Sequence, residues 1–155
     1  MENGAQMDYT WYPAYDRIVS QIDELLAKEK NRPVTVAIDG MCGSGKSTLG
    51  QALKDHYGCN LFHMDDFYLR MEQRTPERYA EPGGNVHYER FQAEVLKQLE
   101  NKDGFSYQLF SCATFSLSDF VAVSWNRLNI VEGSYSQNPY FGDIYDLRLF
   151  CRIGT

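Results

Sequence analysis

The chain has 155 residues, 43% hydrophobic and 23% charged, which suits one compact globular domain. Its formal net charge of −6 excludes a broad nucleic-acid footprint, which needs clustered Lys and Arg. It does not exclude one small anion held by local backbone dipoles. Four cysteines without a CxxC pair, and three histidines, give neither zinc-ligand nor disulfide spacing. Reduced thiols in a cytoplasmic protein are expected. The opening MENGAQMDYTWYPAYD is acidic and lacks an apolar centre, so it does not read as a signal peptide. No run approaches the ~20 apolar residues of a membrane span, and no membrane partner is expected.

In chain order, Ile18, Val19, Ile22, Leu25 and Leu26 recur at helical spacing and predict an amphipathic helix from Tyr15 to Lys28. Asn31-Arg32-Pro33 ends it. Val34 to Ile38 is short, apolar and rich in β-branched residues, the pattern of a buried strand. A glycine-rich turn follows, then a helix from Lys46 to His56 stopped by Gly58. Asn60 to Met64 predicts a second strand ending at Asp65-Asp66. Residues 72–86, with Pro76, Pro82, Gly83 and Gly84, predict a loop. Tyr88 to Leu99 places Phe91, Val95, Leu96 and Leu99 on one helical face. Ser106 to Phe110 and Phe120 to Val123 predict a hairpin excursion. Leu128 to Val131 and Leu147 to Ile153 predict the last two strands. Strands alternating with helices predict an α/β fold with a mainly parallel sheet.

The turn after the first strand reads GMCGSGKST and fits GxxxxGK[ST]. Glycines let backbone amides approach an anion with no Cβ in the way. The helix that follows turns its positive end to the same point. Gly40, Gly43, Ser44, Gly45, Lys46, Ser47 and Thr48 are therefore candidate nucleotide-binding residues. Lys46 is a compact charge for β- and γ-phosphates, and the Ser47 hydroxyl is placed for Mg²⁺. Cys42 reads as a small filler within the loop.

Two carboxylate stations follow. Asp65 and Asp66 stand at a strand end, where ligands of open α/β sheets bind. A carboxylate there can take the proton from a hydroxyl attacking a γ-phosphate, and Asp65 is the better candidate. Glu132 ends another apolar strand just before Gly133 and is the candidate carboxylate for the metal.

With these stations in order, the chain resembles the uridine kinase and phosphoribulokinase group of P-loop kinases. The segments VAIDGMCGSGKSTL, HMDDFYL, EPGGNVHYERF and NIVEGSYSQNPYFGDIYDLRLF carry the likeness. The resemblance implies a P-loop NTPase three-layer fold. It implies an ATP- and Mg²⁺-dependent kinase that phosphorylates a hydroxyl of a small, nucleoside-like acceptor. Lys46 and Ser47 would lie on ATP and metal, Asp65 would be the base, and Glu132 would lie at the metal. Tyr68, His87 and Arg90 would lie near the acceptor. His87 stands where these kinases carry an aspartate for ribose hydroxyls; a neutral imidazole accepts one hydrogen bond where a carboxylate chelates a diol. Phe110 and Phe115 can stack on a ring or pack in a core. The acceptor is thus left open.

Such kinases continue past a strand like DLRLFCRI into an arginine-rich lid, and this chain stops at Thr155. The expectation is a C-terminally truncated kinase domain over residues 34–155, preceded by a helical segment over residues 1–33. A nucleotide-binding protein with little or no transferase activity is the alternative. A homo-oligomer is also left open.

Overall fold

The computed structural model describes residues 14–41 and 43–152. Helix α1 (Tyr15–Lys28) leads into strand β1 (Val34–Gly40), helix α2 (Lys46–Tyr57) and strand β2 (Asn60–His63). A 3₁₀ turn (Met64–Asp66), a second (Met71–Gln73) and the short helix α3 (Pro76–Tyr79) carry the chain to helix α4 (Tyr88–Glu94). Strands β3 (Phe105–Ser111) and β4 (Ser116–Val123) form an antiparallel hairpin. Strands β5 (Leu128–Glu132) and β6 (Leu147–Cys151) complete the described chain.

The main sheet runs β2-β5-β1-β6 with every pair parallel. Parallel strands need crossovers, and α2 supplies the one from β1 to β2, which lie on either side of β5. Side chains alternate faces at every residue, so β1 and β5 each serve two cores. Val34, Val36 and Ile38, with Leu128 and Ile130, meet Ile18 and Ile22 of α1 and Leu49 and Leu53 of α2. Ala37 and Val131 face the opposite cluster, built from Phe62, Met64, Phe67, Phe91, Val95 and Tyr107. The result is an α/β fold with layers on both faces of the sheet.

The bounds of α1 coincide with those predicted, and its N-cap Ala14 offers no side-chain oxygen. Burial of its apolar stripe therefore carries the helix. The predicted helix from Tyr88 to Leu99 is shorter than expected. It ends at Glu94, Val95 adopts φ −118° and ψ −66°, and a 3₁₀ turn, Leu96–Gln98, takes over. Tightening of a last turn into 3₁₀ form is common, and it still buries Leu96 and Leu99. Strand β2 also stops one residue early, because Met64 begins the turn that carries the acidic pair. Residues 72–86 are broken by one turn of helix, α3, capped by the Thr75 hydroxyl. The predicted Ile153 end of the last strand and the filler role of Cys42 lie outside the described residues.

Candidate functional site

The glycine-rich turn joins β1 to α2 at the carboxyl edge of the sheet. Gly40 has φ 144°, and a Cβ there would sit 2.3 Å from the carbonyl oxygen of Cys151 on β6. Gly45, the residue before α2, is left-handed with φ 93°. No side chain caps α2, so the positive end of a 12-residue helix opens into the turn. Lys46 is 8% exposed, and its ammonium donates to the Met41 carbonyl at 2.7 Å. Among the described residues the buried Ser44 hydroxyl has no hydrogen-bond partner. Gly43, Gly45, Lys46, Ser47 and Thr48 line an open hollow of about 320 Å³. Uncapped amides, a sequestered lysine and an unmatched hydroxyl fit a phosphate chain.

Beside this hollow lies Glu132, 3% exposed at the end of β5. Its Oε1 accepts from the Ser47 hydroxyl at 3.3 Å, and its Oε2 takes a short hydrogen bond from His63 Nδ1. Residues 63 and 132 are register partners across β2 and β5. The bond to Glu132 raises the His63 pKa above its ordinary 6.5, against the opposing effect of burial. Sequence reasoning did not single out His63. Its signal was its place one residue before the MDDFY turn, at a strand end beside Glu132. Among the described residues no three His, Cys, Asp or Glu side chains form a metal site. A cation at Ser47 and Glu132 would therefore complete its shell with phosphate oxygens and water, the usual habit of Mg²⁺.

The 3₁₀ turn after β2 separates the acidic pair. Asp65 is exposed and accepts from the Tyr68 hydroxyl at 3.1 Å. Asp66 is half-buried, and burial raises its pKa, with His63 acting in the opposite direction. Asp65 is thus the carboxylate open to an incoming group. Gly133, at φ 141°, packs against this turn: a Cβ there would lie 2.6 Å from that of Met64.

Asp39, also unremarked in the sequence, ties the two loops together. Its carboxylate accepts from the amides of Gly40 at 2.7 Å, Tyr135 at 3.0 Å and Gln137 at 3.0 Å. The Ser134 hydroxyl donates to the Gly40 carbonyl and the Ser136 hydroxyl to that of Ile38. Next to Asp39 opens a larger cavity of about 560 Å³, walled by Tyr88, Tyr135, Tyr140 and Glu81. These tyrosines carry no periodic signal, because Tyr88 starts α4 while Tyr135 and Tyr140 come from the connection between β5 and β6.

Residues 86–90 run alongside 67–69. The His87 amide donates to the Phe67 carbonyl at 2.6 Å, and Tyr68 pairs with Val86 in an isolated antiparallel bridge. Of the expected acceptor residues, Tyr68 bonds Asp65, while the His87 amide and the Arg90 guanidinium both lie against Phe67. Burial, aided by the Arg90 charge, lowers the His87 pKa below 6.5. Its neutral Nε2 accepts from the Gln73 amide at 3.3 Å. Arg78 fixes this stretch through two 2.7 Å bonds to Glu89 and bonds to the Gly84 and Val86 carbonyls.

A parallel sheet with a glycine-rich turn leading into an uncapped helix is the arrangement of an α/β P-loop fold. A solved structure described as "a Possible Uridine Kinase from Bacillus stearothermophilus" shares it, with a TM-score of 0.69 and 21% identity, over 87% of this chain and 79% of that one. Within this class the chain is similar to the uridine kinases: it is 25% identical over 132 residues to that of Bacillus thuringiensis, covering 77% of this chain. A shorter stretch of 64 residues, 41% of the chain, is 34% identical to the bifunctional shikimate kinase/3-dehydroquinate synthase of Thermotoga maritima. The chain spans 60% of the uridine kinase and 13% of the bifunctional protein. No family model matches it.

Proposed function

We propose that this chain is an ATP-dependent kinase domain that phosphorylates a hydroxyl of a small, nucleoside-like molecule. The observation that carries the reading is the contact of Ser47 with buried Glu132 beside an uncapped helix and a sequestered lysine. That set fits a nucleotide's phosphates together with a divalent cation. The amides of residues 43–48 would hold the phosphates, and Ser47 and Glu132 the cation. Bound Mg²⁺ supplies charge neutralisation on the phosphate oxygens.

The chain's own residues do the rest. Lys46 exchanges the Met41 carbonyl for phosphate oxygens, a charge-assisted and stronger bond. His63 holds one oxygen of Glu132, so the other stays turned to Ser47. Asp65 accepts the proton of the attacking hydroxyl, while the Tyr68 hydroxyl fixes its orientation. Asp39 keeps the glycine-rich turn and the loop after β5 in one arrangement, which favours a preorganised site.

The test is incubation with Mg-ATP and a panel of nucleosides and sugars, reading ADP and phosphorylated product. Product formation that disappears in Lys46→Ala supports the reading. ATP binding without turnover on any acceptor would instead mark a nucleotide-binding protein. ATP binding unchanged in Lys46→Ala would overturn the assignment of the turn.

A further inference from the structure

The cavity beside Asp39 takes no part in holding phosphate or metal. Its volume of about 560 Å³ is that of a small-molecule site. Tyr88, Tyr135 and Tyr140 give it aromatic walls, and Asp39 and Glu81 give it two carboxylates. Among the described residues no Lys, Arg or His lines it.

Both carboxylates are bonded by neutral donors. Asp39 accepts from the backbone amides of Gly40, Tyr135 and Gln137, which spread its charge without cancelling it. Glu81 accepts from the Tyr88 hydroxyl at 2.6 Å. Arg78 stands close enough to feel Glu81, but its two 2.7 Å bonds go to Glu89. The cavity therefore keeps an excess of negative charge.

The rings are presented to it rather than packed away. Tyr135 and Tyr140 are 46% and 47% exposed. Tyr88 and Tyr140 lie with centroids 4.7 Å apart and planes at 51°, so they form a corner, not a stack. Tyr88 already holds the Arg78 guanidinium carbon 3.9 Å from its centroid, which shows that this ring accepts a cation. Tyr135 has φ 66°, a left-handed conformation that strains a residue with a bulky side chain. Two contacts keep it there. Its amide bonds Asp39, and its ring packs on Gly83, where a Cβ would lie 2.7 Å from the tyrosine Cγ. Strain of this kind persists where the surroundings enforce it, and ligand clamps are one such place.

Aromatic faces carry negative potential and attract cations. A neutral ligand gains from the rings and nothing from the carboxylates, and an anion is repelled by both. We infer that this cavity binds a small organic cation, an alkylated ammonium group set among Tyr88, Tyr135 and Tyr140, with Asp39 and Glu81 balancing its charge. The inference stands apart from the kinase reading, because such binding needs no nucleotide.

Nuclear magnetic resonance titration of the isotope-labelled full chain, without nucleotide, tests it. The probes are choline and its neutral carbon analogue, in which a quaternary carbon replaces the nitrogen. They share shape and hydroxyl and differ in charge. Each is titrated through the millimolar range at matched ionic strength. Choline should shift the amides of residues 134–140 and bind on the order of 10–100-fold more tightly than the analogue. Glu81→Gln removes a charge and keeps an acceptor for the Tyr88 hydroxyl. Tyr140→Leu removes a ring face. Each should weaken choline on the order of 3–10-fold, and more than it weakens the analogue. Glu81 is exposed, so Glu81→Gln leaves the core intact, and the amide spectrum of each variant verifies its fold. Equal affinity for the two probes, choline binding unaltered in both variants, or no choline-induced shift at residues 134–140 overturns the inference.

Discussion

Gly40→Ala tests whether the glycine-rich turn is locked to the edge of the sheet. A Cβ at residue 40 would lie 2.3 Å from the Cys151 oxygen and 2.9 Å from Ser44 Oγ. The first of these is backbone in β6, which pairs with Gly40 in the sheet, so no side-chain rotation relieves it. The φ of 144° adds strain of about 1–3 kcal/mol, and forced overlap adds about 1–3 kcal/mol. Loss of freedom in the unfolded chain returns about 0.4–1 kcal/mol. The net expectation is a destabilisation of ~2–5 kcal/mol, a large part of the ~5–15 kcal/mol typical of a domain. Gly43→Ala is the internal control. Its φ of 78° is also left-handed, but a Cβ there meets nothing within 4 Å, so only about 1–2 kcal/mol of strain is expected. Urea titration followed by far-ultraviolet circular dichroism measures both. If Gly40→Ala proves no more destabilising than Gly43→Ala, the close approach of β6 does not hold the turn.

Other expectations follow from the same geometry. Asp65→Asn should lower kcat by about 10²–10⁴-fold and leave ATP affinity intact, as read by steady-state kinetics and calorimetry. Phe67→Ala removes a fully buried ring packed on Phe91 and Tyr107, and should destabilise by ~3–5 kcal/mol in the same urea titration. The Arg78–Glu89 pair predicts a pH dependence. The bond to Arg78 lowers the Glu89 pKa below its ordinary 4.5, so its contribution is complete above that value and fades as pH falls through the folded one. With the Glu89 side chain 42% exposed, screening holds it to under about 1 kcal/mol. The stability gap between wild type and Glu89→Gln should therefore shrink on acidification from neutral pH.

The elements with strong periodicity were legible. The stripe Ile18, Ile22, Leu25 and Leu26 marked α1 to its end residues, and β-branched runs marked β1 and β5. The glycine-rich turn and Glu132 were readable because motif and strand end coincide in one short stretch. His63 was hidden because its partner Glu132 is 69 positions away and only the β2–β5 register brings them together. Asp39 was hidden for a related reason: an acid at a strand end reads as solvated until the loop after β5 folds over it. Helical spacing in 88–99 also could not show the 3₁₀ turn that follows Val95, since both helix types bury Leu96 and Leu99. Arg90 was placed near the acceptor by resemblance. Its bond to the Gln108 carbonyl became visible only once β3 was in place.

The sheet divides this molecule's labour between its two faces. Behind it, α1 and α2 pack on β1 and β5. In front, the cluster around Phe62 and Phe67 is drawn largely from the segment between β2 and β5. The Asp39 clamp fastens the glycine-rich turn and the loop after β5 to strands that this segment does not interrupt. On the proposed kinase reading, substitutions in residues 67–123 would therefore remodel the acceptor side while leaving the glycine-rich turn where it is. On that reading a scaffold of this construction would diversify its acceptors by local change, and grafting the segment between relatives would exchange them.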